Sequence, residues 1–171
     1  MTASDVAMVL ERLADAGIEA WVEGGWGVDA LLGAQTRTHD DLDLIVQVDD
    51  TPTMREIFEQ QGFVLAEGDL DSNFVLRDAR DRSVDVHPVR FDDEGNGIYR
   101  MASGGDWLFP ADGFSGTGQI GDRAVQCLTA DVQMLCHATG YEPGDTDFHD
   151  MRALNRRFKT RLLPPFDESS R

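Results

Sequence analysis

The chain has 171 residues, 41% of them apolar, which suits one compact domain and excludes wholesale disorder. Thirty-two acids against fifteen bases leave a net charge of −17, with a single lysine, Lys159, so the clustered cations that duplex nucleic acid demands are missing. No apolar run approaches the roughly 18 residues of a membrane span. No cationic-then-apolar leader opens the sequence, and Cys127 and Cys136 are too few for a zinc site, so a reduced cytoplasmic setting is expected. The acidic field suits a cationic small molecule or divalent metals, or serves solubility alone.

In chain order, Val6, Val9, Leu10 and Leu13 recur at helical spacing, with Ser4 or Asp5 as cap and Gly17 as stop. Ile18 to Glu23 reads as a strand, Gly24 to Gly27 as a turn, and Val28 to Leu32 as a helix closed by Gly33. Asp41 to Val48 alternates like a strand. A helix capped by Asp50 or Thr51 follows and ends before Gly62. Phe63 to Ala66 can form a strand, and Asn73–Arg77 with Ser83–Val89 a hairpin. Residues 91–121, rich in Gly and Asp, read as loops and short strands that carry Trp107 and Phe109. Val125 to Leu128 is a strand, Thr129 caps a helix to Thr139, and a last helix runs from about Thr146 to Phe158. The expectation is an α+β fold, a mixed sheet flanked by helices. One domain is expected over 1–160, with C-terminal helices from about 129 and a flexible tail over 161–171.

Three pieces of sequence carry chemistry. Gly24-Gly25 lies between a strand and a helix, where the backbone can approach a ligand closely and free N–H groups favour an anion; an ordinary turn would look the same. In Asp41-Leu42-Asp43 the period of two puts both acids on one face, where a divalent metal relieves their repulsion; a solvated sheet edge is the bland alternative. In Val84-Asp85-Val86-His87, Asp85 can complete a carboxylate triad as metal ligand, general base or both. His87 shares its side, as a structural residue or as part of the site.

The order of these pieces resembles the polymerase-β-type nucleotidyltransferase superfamily. Trp21-Val22-Glu23-Gly24-Gly25-Trp26-Gly27-Val28-Asp29 and Arg37-Thr38-His39-Asp40-Asp41-Leu42-Asp43 look like the small lincosamide and aminoglycoside 2″-nucleotidyltransferases. Asp85-Val86-His87-Pro88-Val89 with Asp92-Asp93-Glu94-Gly95 looks most like the lincosamide group, and the likeness extends through His137–Tyr141 and Thr146–Asp150. The resemblance implies a polymerase-β-type core and a reaction needing magnesium, two ions by family analogy. A nucleoside monophosphate, AMP from ATP or another triphosphate, would pass to a hydroxyl of a small cationic antibiotic, with pyrophosphate released. A lincosamide is the first choice of acceptor and an aminoglycoside the second.

By the same resemblance, Asp41, Asp43 and Asp85 would be metal ligands and catalytic groups, with Asp85 the base. Gly24 and Gly25 would hold the triphosphate. From the residues themselves, Arg37 is the cation nearest the motif for the triphosphate, Trp26 and Trp107 can wall an acceptor, Glu23 can meet its amine, and His87 shares the strand face of Asp85. Phe109 and Glu142 are further candidates, and Arg77 and Arg90 are secondary cations. Many superfamily relatives carry Lys or Arg where this chain has Thr146, which removes one triphosphate contact. Rival expectations are transfer to a protein or tRNA, as in toxin–antitoxin relatives, and a non-catalytic nucleotide sensor. Nucleic acid and membrane are not expected partners, and the sequence leaves oligomeric state open.

Overall fold

The computed structural model describes residues 1–101, 104–139 and 141–167. The first helix, α1 (Ala3–Asp15), starts two residues earlier than its apolar pattern suggests. The cap is Thr2, whose hydroxyl accepts the Asp5 N–H while the Asp5 carboxylate accepts the Thr2 N–H. Strand β1 (Ala20–Glu23) runs straight into α2 (Gly24–Leu32), so the glycines expected as a turn are the first residues of the helix. Gly24, at φ +59°, makes the change of direction in one residue.

After β2 (Asp41–Gln47) come α3 (Thr51–Gln60), β3 (Val64–Gly68), β4 (Phe74–Arg77) and β5 (Ser83–Phe91). The glycine-rich stretch holds three short strands, β6 (Gly97–Arg100), β7 (Asp106–Phe109) and β8 (Gly116–Ile120). The chain closes with β9 (Arg123–Cys127), α4 (Ala130–Ala138) and α5 (Asp145–Phe158).

The strands form one mixed sheet in the order β3-β4-β5-β2-β1-β9-β8, with β6 on β5 and β7 on β6. The pairs β2–β5 and β1–β9 are parallel, and β1–β2 is antiparallel. The α+β expectation, a mixed sheet flanked by helices, is thereby met.

Alternation along β2 and β5 divides the two faces. Leu42, Leu44, Val46, Val84 and Val86 are fully buried and pack with Val6, Val9 and Leu13 of α1 and Met54 and Phe58 of α3. The other face carries the acids near the start of β2 and an apolar cluster of Trp21, Ile45, Val89, Phe109, Leu128 and Val132 further along. A third cluster joins Val28 of α2, Met134 of α4, and Met151 and Leu154 of α5 to Phe166, which is 2% exposed. The stretch after 160, expected as a tail, is therefore anchored as far as Phe166; residues 168–171 lie outside the described residues.

Candidate active site

Parallel pairing of β2 with β5 sets Asp43 opposite Asp85, and antiparallel pairing of β1 with β2 sets Glu23 opposite Asp43. Paired residues on adjacent strands share a face, so Glu23, Asp43 and Asp85 form a row across three strands, with Asp41 two residues from Asp43 on the same side. Burial, the Asp41 and Glu23 charges and, less strongly, Asp85 push the Asp43 carboxyl well above its usual range, against the opposing charge of His87. Burial also raises Asp85; His87 opposes this, while Glu23 and Asp41 add to it. A carboxylate so raised is a better proton acceptor.

His87 is the cation built into this cluster. Its Nδ1 lies 2.6 Å from Glu23 Oε1. Burial disfavours its charge, but Glu23, with Asp85 and Asp43 behind it, outweighs burial and holds the imidazole up at about 9. Glu23 is 7% exposed and belongs to this pair as well as to the cleft wall.

The start of α2 is packed against the acids. A Cβ on Gly24 would fall 2.0 Å from Asp43 Oδ2, and one on Gly25 would fall 2.4 Å from Arg37 Nη2 and 2.5 Å from His39 Nδ1. Arg37, on the loop before β2, is held from α5. Its Nε donates to both oxygens of Asp150 at 3.2 and 3.1 Å and its Nη2 to Oδ2 at 2.8 Å, with Asp150 itself 1% exposed. His39 Nε2 meets Asp29 Oδ2 at 2.5 Å, which leaves Nδ1 toward Gly25. Burial pushes Asp29 up, but hydrogen bonds from His39 and Thr36 prevail and hold it below the usual carboxylate range.

Together these residues line a cleft of about 290 Å³. One wall is Gly24, Gly25, Trp26, Arg37 and His39, and the floor is Asp41, Asp43, Glu23 and His87. The opposite wall is Cys136 and His137 of α4, Asp147 of α5 and Tyr141 between those helices, with the Tyr141 hydroxyl donating to Asp147 at 2.7 Å.

The expected residues thus gather in part. Asp41, Asp43, Gly24, Gly25, Arg37, Trp26, Glu23 and His87 line the cleft; Asp85 belongs to the acid row but does not line it. Trp26 is 2% exposed and its ring lies on that of His39, at 4.6 Å between centroids, so only a sliver faces the cleft. Trp107 stands apart on β7. Phe109, at 3% exposure, is core, and Glu142 is exposed away from the cleft lining. Arg77 and Arg90 are engaged outside the cleft, by Glu67 and Asp81 and by Asp49.

Among the described residues no three His, Cys, Asp or Glu side chains are gathered as a ready metal cage, so the expected three-carboxylate ligand set is not preformed. Magnesium does not require one, since it binds through one or two carboxylates plus substrate phosphates and water. The pair Asp41 and Asp43, with the Asp43 carboxyl raised by burial and by the charges of Asp41 and Glu23, fits such an ion.

The chain matches the aminoglycoside-2″-adenylyltransferase family model over residues 5–154. It belongs to this family. A lincosamide resistance protein of Staphylococcus haemolyticus is 29% identical over 154 residues, covering 90% of this chain and 94% of that protein. A 2″-aminoglycoside nucleotidyltransferase of Escherichia coli is 32% identical over 130 residues, covering 74% and 69%. The crystal structure of the lincosamide antibiotic adenylyltransferase LnuA with lincomycin bound superposes with a TM-score of 0.80 at 28% identity, over 91% of this chain and 97% of that one. The polymerase-β-type expectation and the kinship with small antibiotic nucleotidyltransferases are borne out.

Contributors that escaped the sequence reading of the site include Asp150, which holds Arg37 from 113 residues away; Asp29 behind His39; and the wall of Cys136, His137, Tyr141 and Asp147. Nothing in the local pattern around Asp150 marks an arginine partner. The adjacency of His39 to the acidic strand was the available signal for the second. No helix among the described residues is long and apolar enough to cross a membrane.

Proposed function

We propose that this family member transfers AMP from ATP to a hydroxyl of a small amine-bearing antibiotic, a lincosamide in the first instance and an aminoglycoside in the second. The register that places Asp43 opposite Asp85, beside a glycine start packed on Asp43, carries this reading. Kinship with the lincosamide resistance protein and with LnuA favours the first acceptor.

Asp41 and Asp43 would hold magnesium, as a pair of ions in the fullest form of the proposal. The metal supplies charge neutralisation and alignment of the phosphate oxygens. The N–H groups at the start of α2 receive triphosphate oxygens, and the Arg37 guanidinium, oriented by Asp150, adds donors beside them. Asp85 takes the proton of the acceptor hydroxyl. The freed oxygen bonds to the α-phosphorus as the bond to the β-phosphate oxygen breaks, and pyrophosphate leaves with that electron pair. Free Cys127 and Cys136 suit a reducing cytoplasm as the place of action.

The test is pyrophosphate release from ATP and magnesium with a panel of lincosamides and aminoglycosides. Release with a lincosamide, and adenylylated product by mass, is the expected result. No release with any compound in the panel overturns the proposal.

A further inference from the structure

Asp85 shares the face of Asp43 but is not among the residues that line the cleft that would take the nucleotide. Asp85 Oδ1 is shut from solvent without a hydrogen-bond partner among the described residues, and the residue does not line that cleft. Strand β2 occupies one edge of β5, so β4 and β6 share the other, with β4 on Ser83–Val86 and β6 on Val89–Phe91. The β6–β7 hairpin therefore stands across β5 from the glycine start of α2.

Two aromatic side chains mark this hairpin. Tyr99 pairs with Val89, and its ring meets His87 edge-on at 5.2 Å, so it shares the face of Asp85. Trp107 is directly opposite Tyr99 in the β6–β7 pairing, and both are half-buried. The Tyr99 hydroxyl makes no hydrogen bond to any described residue. Burial, then the Asp85 and Glu23 charges, push this phenol up to about 12, so it stays an O–H donor at neutral pH. Half-buried aromatic rings with one convergent polar atom are what a small-molecule subsite requires.

Resting on the reading of the site as an AMP transferase, we infer that Tyr99 and Trp107 form the acceptor subsite. The apolar face of a sugar-like ring lies on Trp107, and the Tyr99 hydroxyl donates to an acceptor oxygen neighbouring the one that Asp85 deprotonates. The donor enters from α2 and the acceptor from the β6–β7 hairpin, so the two reactants approach the acid row from opposite sides of β5. Tyr99 then sets which hydroxyl is presented, and so the specificity.

The experiment compares Tyr99→Phe and Trp107→Ala with the wild type, using lincomycin and tobramycin as probes. Turnover is followed by pyrophosphate release, and binding of each probe without nucleotide by calorimetry. Loss of one hydrogen bond should raise the acceptor KM and Kd of Tyr99→Phe about 3- to 10-fold, and Trp107→Ala about 10-fold or more, with the ATP KM within about twofold of wild type. Unchanged acceptor binding in Tyr99→Phe, or acceptor and ATP KM rising together, overturns the inference. Wild-type protein that binds a probe but releases no pyrophosphate defeats the proposed reaction, while the Tyr99→Phe binding comparison still decides the subsite. Wild-type protein that binds neither probe defeats the subsite.

Discussion

Asp43 and Asp85 sit opposite one another on parallel strands, so two carboxylates 42 residues apart in sequence leave the sheet on the same side. Asp43 is packed under Gly24 and lines the cleft, whereas Asp85 lies one strand further and outside the cleft lining.

Replacing Asp43 should separate stability from activity. Burial and the surrounding acids raise its carboxyl, so its charge costs folding energy in the metal-free protein. Asp43→Asn is expected to raise the metal-free Tm, by about 1 kcal/mol of stability, while pyrophosphate release falls to background. Calorimetric melting with and without magnesium checks both halves, and the wild type should gain more from magnesium than the variant.

Asp85→Asn should keep nucleotide affinity within about twofold and lose roughly 100-fold or more in kcat, the usual scale for a general base. Equal losses of both would make Asp85 chiefly a ligand.

Removing the hold on Arg37 tests its proposed triphosphate role from a distance. Asp150→Ala takes a 1% exposed carboxylate and three hydrogen bonds from the guanidinium. The ATP KM is expected to rise about tenfold, with a stability loss of about 2 kcal/mol. Asp150→Glu should restore part of the KM, which loss of packing alone would not allow.

The His87–Glu23 pair gives the metal-free protein a pH dependence. A histidine raised to about 9 stabilises the fold fully below about pH 6.5, and that stability is lost as pH climbs through 9. The raised carboxyl of Asp43 acts in the same direction, since its ionisation is disfavoured in the folded state. Unfolding free energies from urea titrations at about pH 6 and about pH 9.5 should differ by on the order of 3 kcal/mol, and Glu23→Gln should flatten the difference.

Phe166→Ala should cost about 3 to 5 kcal/mol, the range for a buried phenylalanine, because the ring packs with Val28, Met134, Met151 and Leu154. Its unfolding midpoint in urea, compared with that of an exposed control, Phe158→Ala at 39% exposure, measures the difference.

Much of this architecture was readable from local pattern. Period-two alternation put Asp41 and Asp43 on one face, and the Gly24-Gly25 pair marked the strand-to-helix junction. Pairing partners were not readable, because a hydrogen-bonded neighbour leaves no trace in either strand alone; the register brings Asp85 opposite Asp43, and it sets Trp107 on β7, two strands beyond β5. The Arg37–Asp150 contact hides for the same reason. The Pro164-Pro165 pair reads as the start of a flexible tail, whereas the phenylalanine directly after it, Phe166, supplies the anchor.

The space at Gly24 also bounds how the site can diversify. A single methyl there would land on a carboxylate oxygen of Asp43. Hairpin positions such as Trp107, the proposed acceptor wall, can be exchanged stepwise under selection. The junction offers no intermediate step, so descendants with new drug ranges would be expected to arise through the hairpin and keep this glycine untouched.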